Sequence, residues 1–354
     1  MSDELAHLVG VIEDIRHPSN TRFMFPSKVG GKPAWLVPQE LPEITCDTCK
    51  YRMTFLLQVY APDSENDSAF HRSLLVFICL KCRWFLKCYR AQLPLENPFY
   101  PAQLVTAKDV PIEDSELDIC CCEACGMPEH SSTLCRPLPE FGLAIEEIDE
   151  IDMNDEDQDD ASDDEDAAEC GEELQIQELP SDSGMSIDDS EMGLFEEFTD
   201  TALEQDNSFR MFKRFVDEAP GNHILYYSLG GSPIWISDEK QLSSNPDACE
   251  HCGSARRFEF QIQPQLIYHL MQRLKGFPMN AAPFEWGVVT IYTCASNCSV
   301  GPVYKEEFVF NQLEPSNWLE FDARKKMDFS KDNTVSKDAP KVMQSDDSDD
   351  GEWM

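Results

Sequence analysis

The sequence has few basic residues for its length. It contains 28 Lys and Arg residues against 67 Asp and Glu residues, and its formal net charge is −39. Residues 137–208 contain no Lys or Arg but 28 acidic residues, so this interval alone carries −28 of the −39 charges. A charge of this size repels phosphate backbones and therefore disfavours a general nucleic-acid-binding protein. We expect no direct contact with nucleic acid and a partner with a strongly basic surface.

The sequence also lacks long apolar runs and the common catalytic motifs. No run approaches the roughly 20 apolar residues that a membrane helix needs, so we expect no membrane association. A glycine-rich phosphate loop, a nucleophile elbow and a His-Glu metal helix are all missing. No secretory signal precedes the 15 cysteines, which indicates a reducing compartment where thiols bind metals rather than form disulfides. We therefore expect a monomeric, non-enzymatic protein of the cytoplasm and nucleus.

A set of four features occurs twice in the same order. Each copy has a Gly-Gly-x-Pro-x-Trp turn, a Cys-x-x-Cys pair, an apolar segment, and a second cysteine pair after another apolar segment. The turns begin at Gly30 and Gly230, and the closing apolar segments are residues 74–78 and 288–292. Four features that recur in one order indicate an internal duplication.

The paired cysteines predict two zinc sites. A Cys-x-x-Cys turn directs two thiolates at one centre, and a second pair at the end of a strand completes the tetrahedron that zinc prefers. The alternatives are buried structural cysteines and redox pairs, although a redox Cys-x-x-Cys opens a helix whereas these are followed by strand patterns. The predicted zinc ligands are Cys46, Cys49, Cys79 and Cys82 in the first copy, and Cys249, Cys252, Cys294 and Cys298 in the second.

A third cysteine-rich segment runs from Cys120 to Cys135 and includes His130. Its spacing matches no standard zinc finger, and adjacent cysteines cannot easily all reach one ion. A third zinc site and a loosely ordered segment both remain open here. We assign no metal ligand in this segment.

The predicted fold is α+β and predominantly β, with two duplicated zinc-stapled sheet domains separated by an acidic disordered insert. Runs such as residues 163–166, which are all acidic, bury too little apolar surface to offset chain entropy. Helices are expected at residues 209–216 and from Pro264 onward. The predicted units are a first repeat (1–110), a cysteine-rich and acidic linker (111–208), a second repeat (209–318) and an acidic tail (319–354).

Several of these motifs resemble those of the programmed cell death protein 2 family. The similarity to its carboxy-terminal part rests on Cys249-x-x-Cys252-Gly253, Phe258-Glu259-Phe260-Gln261, Glu285-Trp286-Gly287 and Tyr292-Thr293-Cys294. The similarity to its amino-terminal part rests on Gly30-Gly31-x-Pro33-x-Trp35, Gln58-Val59-Tyr60-Ala61-Pro62 and Phe70-His71-Arg72. Typical members carry a MYND-type zinc finger between the halves. The segment at Cys120 to Cys135 lacks its full ligand set, so the sequence is more similar to the "-like" branch.

The resemblance implies a function in biogenesis of the small ribosomal subunit. It implies a dedicated chaperone of small-subunit ribosomal protein S2, associated with the pre-ribosomal small subunit and able to shuttle between nucleus and cytoplasm. An acidic protein can cover the basic surface of such a client, and a sheet can bind an exposed segment by adding a strand at its edge. The alternative is an acidic nuclear factor, such as a histone chaperone or a zinc-dependent regulatory interaction protein.

Overall fold

The computed structural model describes residues 7–14, 21–103, 121–128, 135, 137–148, 206–274 and 284–313. These residues form ten β-strands and two α-helices, so the described part of the chain is predominantly β, as predicted. The helices are α1 (Asn207–Glu218) and α2 (Gln265–Arg273). The strands are β1 (Leu8–Glu13), β2 (Lys28–Val29), β3 (Thr54–Tyr60), β4 (His71–Ile78), β5 (Leu86–Leu93), β6 (Phe141–Glu147), β7 (His223–Tyr227), β8 (Arg256–Ile262), β9 (Val288–Cys294) and β10 (Lys305–Gln312).

All ten strands form one closed antiparallel barrel in the order β1-β6-β2-β3-β4-β5-β10-β9-β8-β7. The two halves of the chain meet at two seams. At the first, β5 pairs with β10, and Cys88 lies opposite Glu307. At the second, β1 pairs with both β6 and β7. The expectation of two separate sheets is therefore corrected, because strands from both predicted repeats pair into a single sheet whose edges are closed against each other.

Strand β6 lies inside the interval assigned to the linker. Phe141 and Leu143 are buried, while Glu146 and Glu147 at its end are exposed. The acidic residues around this short apolar alternation made the strand hard to recognise in the sequence. A strand of the barrel therefore lies within the interval 111–208 that was predicted to be a linker. Most of the acidic interval, residues 149–205, lies outside the described residues, as does the predicted tail.

The two halves make matching local contacts. Strand β3 has a bulge between Phe55 and Leu57, and β8 has one between Phe258 and Phe260. The side-chain oxygen of Gln58 accepts a 2.8 Å hydrogen bond from the Ala34 amide. In the second half the side-chain oxygen of Gln261 accepts a 2.7 Å hydrogen bond from the Ile234 amide. A duplicated sequence would produce such pairs, although the duplication itself stays a prediction.

Both predicted helices are present, and each buries one face. In α1 the buried residues are Phe209, Phe212 and Phe215, and the ring of Phe215 packs against Tyr226 of β7 at 5.2 Å. Pro264 begins α2 at its N-cap, as predicted. Within the described residues, no helix is long and apolar enough to cross a membrane.

Strand β4 separates two apolar clusters because all eight of its residues are buried. One face, which includes Leu74 and Val76, packs in a core shared by both halves, with Phe260 and Ile291. The opposite face packs around Trp35, which is fully buried, as expected of a core anchor. We call this group of apolar side chains the tryptophan core. Its largest members are Trp35, Phe55, Phe77, Tyr89, Tyr100 and Tyr304.

Candidate metal centres

The register of β3 and β4 brings the first group of predicted ligands together. Thr54 lies opposite Ile78, so the loop that enters β3 lies beside the end of β4. That loop carries Cys46 and Cys49, and Cys79 directly follows β4. The Sγ atoms of these cysteines and of Cys82 all lie within 4.8 Å of one another. We call these four residues the first cluster.

The second group forms at the equivalent place in the other half. Arg256, at the start of β8, lies opposite Cys294, at the end of β9. The loop before β8 carries Cys249 and Cys252, and Cys298 follows β9. These four Sγ atoms also lie within 4.8 Å of one another. We call them the second cluster, and the structure thus brings together all eight predicted ligands in the predicted groups.

The distances between sulfur atoms suit a tetrahedral metal site. In the first cluster, Cys46 and Cys82 are 3.7 Å apart and Cys49 and Cys79 are 3.5 Å apart. In the second, the corresponding distances are 3.8 Å for Cys249 to Cys298 and 3.5 Å for Cys252 to Cys294. A tetrahedron of thiolates with metal–sulfur bonds of about 2.3 Å has edges of about 3.8 Å. Both clusters can therefore hold a metal ion with little rearrangement.

Each Cys-x-x-Cys turn is fixed by the same two backbone hydrogen bonds. The Cys46 amide donates to the Tyr51 carbonyl, and the Lys50 amide donates to the Cys46 carbonyl, both at 2.8 Å. The Cys249 amide donates to the Ser254 carbonyl, and the Gly253 amide donates to the Cys249 carbonyl, again at 2.8 Å. The residue after the second cysteine has a positive φ, 57° at Lys50 and 75° at Gly253. This conformation curls the turn so that both thiols face one point.

The thiols of each cluster ionise unequally. Burial opposes ionisation of Cys49, but hydrogen bonds from the Tyr51 amide and neighbouring thiols lower its pKa to about 7. Hydrogen bonds from Ser254 lower the pKa of Cys252 to about 6. In contrast, the hydrogen bond with Cys49, together with burial, raises the pKa of Cys82 to about 12. In each cluster one thiol loses its proton readily, and its negative charge then opposes ionisation of the neighbouring thiols. All four thiols can therefore be ionised together only when a cation lies between them.

Each cluster is also connected to the other half of the chain. Near the first cluster, Lys87 Nζ lies 2.9 Å from Asp47 Oδ1 and 3.3 Å from Glu306 Oε2 of β10. Near the second, the buried Arg90 of β5 donates to the Cys298 carbonyl at 3.3 Å. A positively charged side chain beside a tetrathiolate site offsets its net negative charge. Side chains beside each cluster therefore contact both halves of the barrel.

A third group of cysteines lies in the segment where the sequence left a zinc site open and no ligand was assigned. The Sγ atoms of Cys122, Cys125 and Cys135 lie within 4.8 Å of one another. The sequence signal that could have identified it is the Cys122-x-x-Cys125-Gly126 spacing, which matches Cys249-x-x-Cys252-Gly253. His130 and Cys120, which belong to the same cysteine-rich segment, lie outside the described residues.

The predicted structural role of His71 agrees with its surroundings. Its side chain is 7% exposed, and its Nδ1 lies 2.9 Å from the Tyr60 hydroxyl. The ring stacks on Phe25 with centroids 4.3 Å apart. The histidine is absent from the cysteine clusters.

Comparisons with known protein families identify one domain in each half of the chain. The model of the programmed cell death protein 2 N-terminal domain matches residues 7–107, and the C-terminal putative domain of the same protein matches residues 206–313. The chain belongs to the programmed cell death protein 2 family. The two matched segments contain the first and second clusters respectively, which confirms the predicted resemblance.

Individual relatives carry two names. Programmed cell death protein 2 of Rattus norvegicus is 34% identical over 325 residues, which cover 81% of this chain and 91% of the relative. The protein of that name from Bos taurus is 32% identical over 324 residues. Programmed cell death protein 2-like of Gallus gallus is 33% identical over 117 residues, which cover 32% of this chain and 29% of the relative. No solved structure matches the chain.

Proposed function

We propose that this protein is a dedicated chaperone for a basic ribosomal protein, small-subunit ribosomal protein S2, in biogenesis of the small ribosomal subunit. The observation that carries the proposal is membership of the programmed cell death protein 2 family across both halves of the chain. The net charge of −39 supports it, because a newly made ribosomal protein exposes a basic surface that an acidic partner covers. The protein acts as a binding platform rather than as an enzyme.

We further propose that each four-cysteine cluster binds one Zn²⁺ ion. Soft thiolate ligands in a tetrahedral arrangement favour zinc over magnesium or calcium, which prefer oxygen ligands. The ions would act as structural staples, since four protein ligands leave no open position for a substrate. Metal analysis of the purified protein tests this, and iron or no metal at Cys46 and Cys249 in folded protein would contradict it.

A cleft at the seam between β5 and β10 is a suitable place for a segment of the client. Its volume is 510 Å³, and it lies between residues of the first half and the loop before β10. The lining includes two acidic residues, Glu40 and Asp67, one basic residue, Lys305, and the apolar Leu93, Phe99 and Val303. Acidic and apolar groups together favour a segment with both basic and apolar side chains. Strand addition at an open sheet edge is less suitable, because the sheet closes on itself.

A co-purification experiment tests the client. Tagged protein is isolated at high salt, which removes weak electrostatic partners, and its stoichiometric companion is identified by mass spectrometry. Ribosomal protein S2 as the main companion supports the proposal. Core histones as the main companion would instead support the alternative of an acidic histone chaperone.

Charge reversal tests the cleft in the same assay. Glu40 and Asp67 are both exposed, so the double variant Glu40→Lys/Asp67→Lys should fold normally and retain less S2. The matched control is Asp247→Lys/Glu285→Lys, which changes the net charge equally at exposed positions outside the cleft. Equal loss of S2 in both variants would mean that net charge rather than the cleft determines binding.

The acidic interval has a separate expected effect. Deletion of residues 155–166 should weaken S2 binding mainly at low salt, because exposed charges separated by more than a Debye length are screened at high salt. Equal affinity of the deletion variant and the intact chain at every salt concentration would mean that this interval is only a linker.

We also propose that the protein is a monomer and that it occurs in the cytoplasm and nucleus. Light scattering tests the oligomeric state, and cell fractionation tests the localisation.

A further inference from the structure

Three cysteines outside the two four-cysteine clusters bring their sulfur atoms close together. The Sγ atoms of Cys122 and Cys135 are 3.4 Å apart, and both lie within 4.8 Å of Cys125 Sγ. These distances resemble those inside the first and second clusters. The thiol of the neighbouring Cys121 is not part of the group.

The turn that carries Cys122 and Cys125 has the same backbone geometry as the turns of the other clusters. The Cys122 amide donates to the Met127 carbonyl, and the Gly126 amide donates to the Cys122 carbonyl, both at 2.8 Å. Gly126 has a φ of 66°, in the same region as Lys50 and Gly253. An isolated β-bridge joins Cys121 to Pro128, just as a bridge joins Thr45 to Arg52 around the first cluster. The third turn is thus built to direct its two thiols at one point.

This turn is held rigidly against the tryptophan core. The indole Nε1 of Trp35 donates a 2.7 Å hydrogen bond to the Gly126 carbonyl, and Arg52 Nη1 donates to the Pro128 carbonyl at 3.1 Å. Cys125 and Met127 are buried in the tryptophan core. A side chain at Gly126 would contact Lys32, since a Cβ there would lie 2.7 Å from Lys32 Cβ. The two thiols of this turn therefore do not have to be ordered when an ion binds, which lowers the entropic cost of binding.

We propose that Cys122, Cys125 and Cys135 bind a third Zn²⁺ ion through three thiolates. A divalent thiophilic cation offsets the mutual repulsion of three adjacent thiolates, which nothing else among the described residues of this group does. Among the described residues no further cysteine joins the group, so its described part offers one thiolate fewer than each of the other two clusters. A disulfide is the alternative, but it would join only two of the three cysteines and would not involve the third thiol.

The position of the site indicates a structural role for the ion. Cys135 precedes the segment that enters β6, where the Leu138 carbonyl accepts a 2.9 Å hydrogen bond from the Gly31 amide. The ion would connect the turn packed on Trp35 to the chain that leads into β6. It would thereby fix a strand that pairs with both β1 and β2.

Metal analysis of the full-length protein tests the proposal. The intact chain should contain three zinc ions, and the variant Cys122→Ser/Cys125→Ser should contain one fewer. The matched control Cys121→Ser alters a neighbouring thiol outside the group and should keep all three. Two ions in the folded intact chain, or an unchanged count in the double variant, would overturn the proposal.

A second measurement remains decisive if the double variant fails to fold. After exchange of the bound metal for ¹¹³Cd in the intact chain, the spectrum should contain a third resonance, shifted upfield of two four-thiolate resonances because it has fewer sulfur ligands. A spectrum with four-thiolate resonances alone would overturn the three-thiolate site. In either case, the resonances of the first and second clusters report separately whether those clusters bind metal.

Discussion

Arg72 of β4 and Glu259 of β8 form a bidentate ion pair that joins the two halves of the chain inside the barrel. The Nη1–Oε1 and Nη2–Oε2 distances are 2.5 Å and 2.6 Å. Glu259 also accepts hydrogen bonds from the hydroxyls of Tyr227 and Thr293. Burial opposes ionisation of Glu259, but the charge and hydrogen bonds of Arg72 outweigh it and lower the pKa of the carboxyl. Both side chains are almost fully buried, so neither charge has solvent as a substitute partner.

Loss of one member of this pair should destabilise the barrel strongly. Arg72→Met leaves the carboxylate of Glu259 buried without its partner, and we expect a loss of about 3–5 kcal/mol in the free energy of unfolding. The double variant Arg72→Met/Glu259→Leu should lose less, because no unpaired charge remains. Urea denaturation measures both. The control is Asp47→Asn, which breaks an ion pair with Lys87 through a carboxylate that is largely exposed and should cost less than about 1 kcal/mol.

If Arg72→Met cost no more than Asp47→Asn, the pair would not connect the halves energetically. A double variant as unstable as the single variant would show that the lost packing, rather than the uncompensated charge, causes the destabilisation.

Removal of the second cluster should unfold more than the second half. The variant Cys249→Ser/Cys252→Ser should lose one metal ion and lower the stability of the entire barrel, since β5 of the first half pairs with β10. Structural zinc contributes about 10–16 kcal/mol to folded zinc fingers, and a typical domain is stable by about 5–15 kcal/mol. Metal analysis and circular dichroism melting check this.

The matched control for that variant is Cys88→Ala, which alters a fully buried cysteine outside every cluster and should keep the metal count. A first half that still melts as a separate cooperative unit in Cys249→Ser/Cys252→Ser would contradict the expected coupling.

The two equivalent glycine turns should respond differently to the same substitution. Gly30 has a φ of 61°, and a Cβ there would lie 1.9 Å from the Pro139 carbonyl oxygen. Gly230 has a φ of 79° but nothing within 4 Å of its Cβ position. We expect Gly230→Ala to cost about 1 kcal/mol, from backbone strain alone. Gly30→Ala should cost at least about 3 kcal/mol, because the backbone before β6 must also move.

Chemical denaturation of the two alanine variants side by side measures this difference. Equal losses would mean that the chain before β6 yields easily at Pro139, and that its close approach to Gly30 contributes little to the barrel.

The buried His71 should make stability fall at mildly acidic pH. Burial lowers its pKa below the ordinary value of 6.5, so near that pH the unfolded chain binds a proton that the folded chain does not. Stability is therefore complete well above pH 6.5 and declines as the pH falls through this value towards the lowered pKa. In His71→Phe the decline in melting temperature between pH 7.5 and pH 5.5 should be smaller than in the intact protein.

Tyr60→Phe is the control, because it removes the hydroxyl partner of His71 but keeps the titrating ring. The decline in melting temperature of Tyr60→Phe over this pH range should match that of the intact protein, with the same metal present in both samples. If His71→Phe declined as steeply as Tyr60→Phe, other groups would account for the acid sensitivity.

Much of the candidate site could be predicted because its signals are local. Cys249 and Cys252 belong to a single turn, and Cys294 directly ends an apolar strand, so spacing alone groups them. The third group could not be assigned in this way, because Cys135 reaches Cys122 through a segment with no standard spacing. The spacing from Cys122 to Gly126 is a local signal for the turn, but the approach of Cys135 to it is visible only in three dimensions.

By itself, the sequence determined the strongly acidic charge, both helices, most of the local strands, and the two sets of four cysteines. These properties depend on composition and on residues close along the chain. Only the tertiary structure decided that β5 pairs with β10 and that β6 completes the barrel. Strand pairing at such sequence separations depends on which edges and buried charges meet, as Arg72 and Glu259 do, and no local pattern specifies that choice.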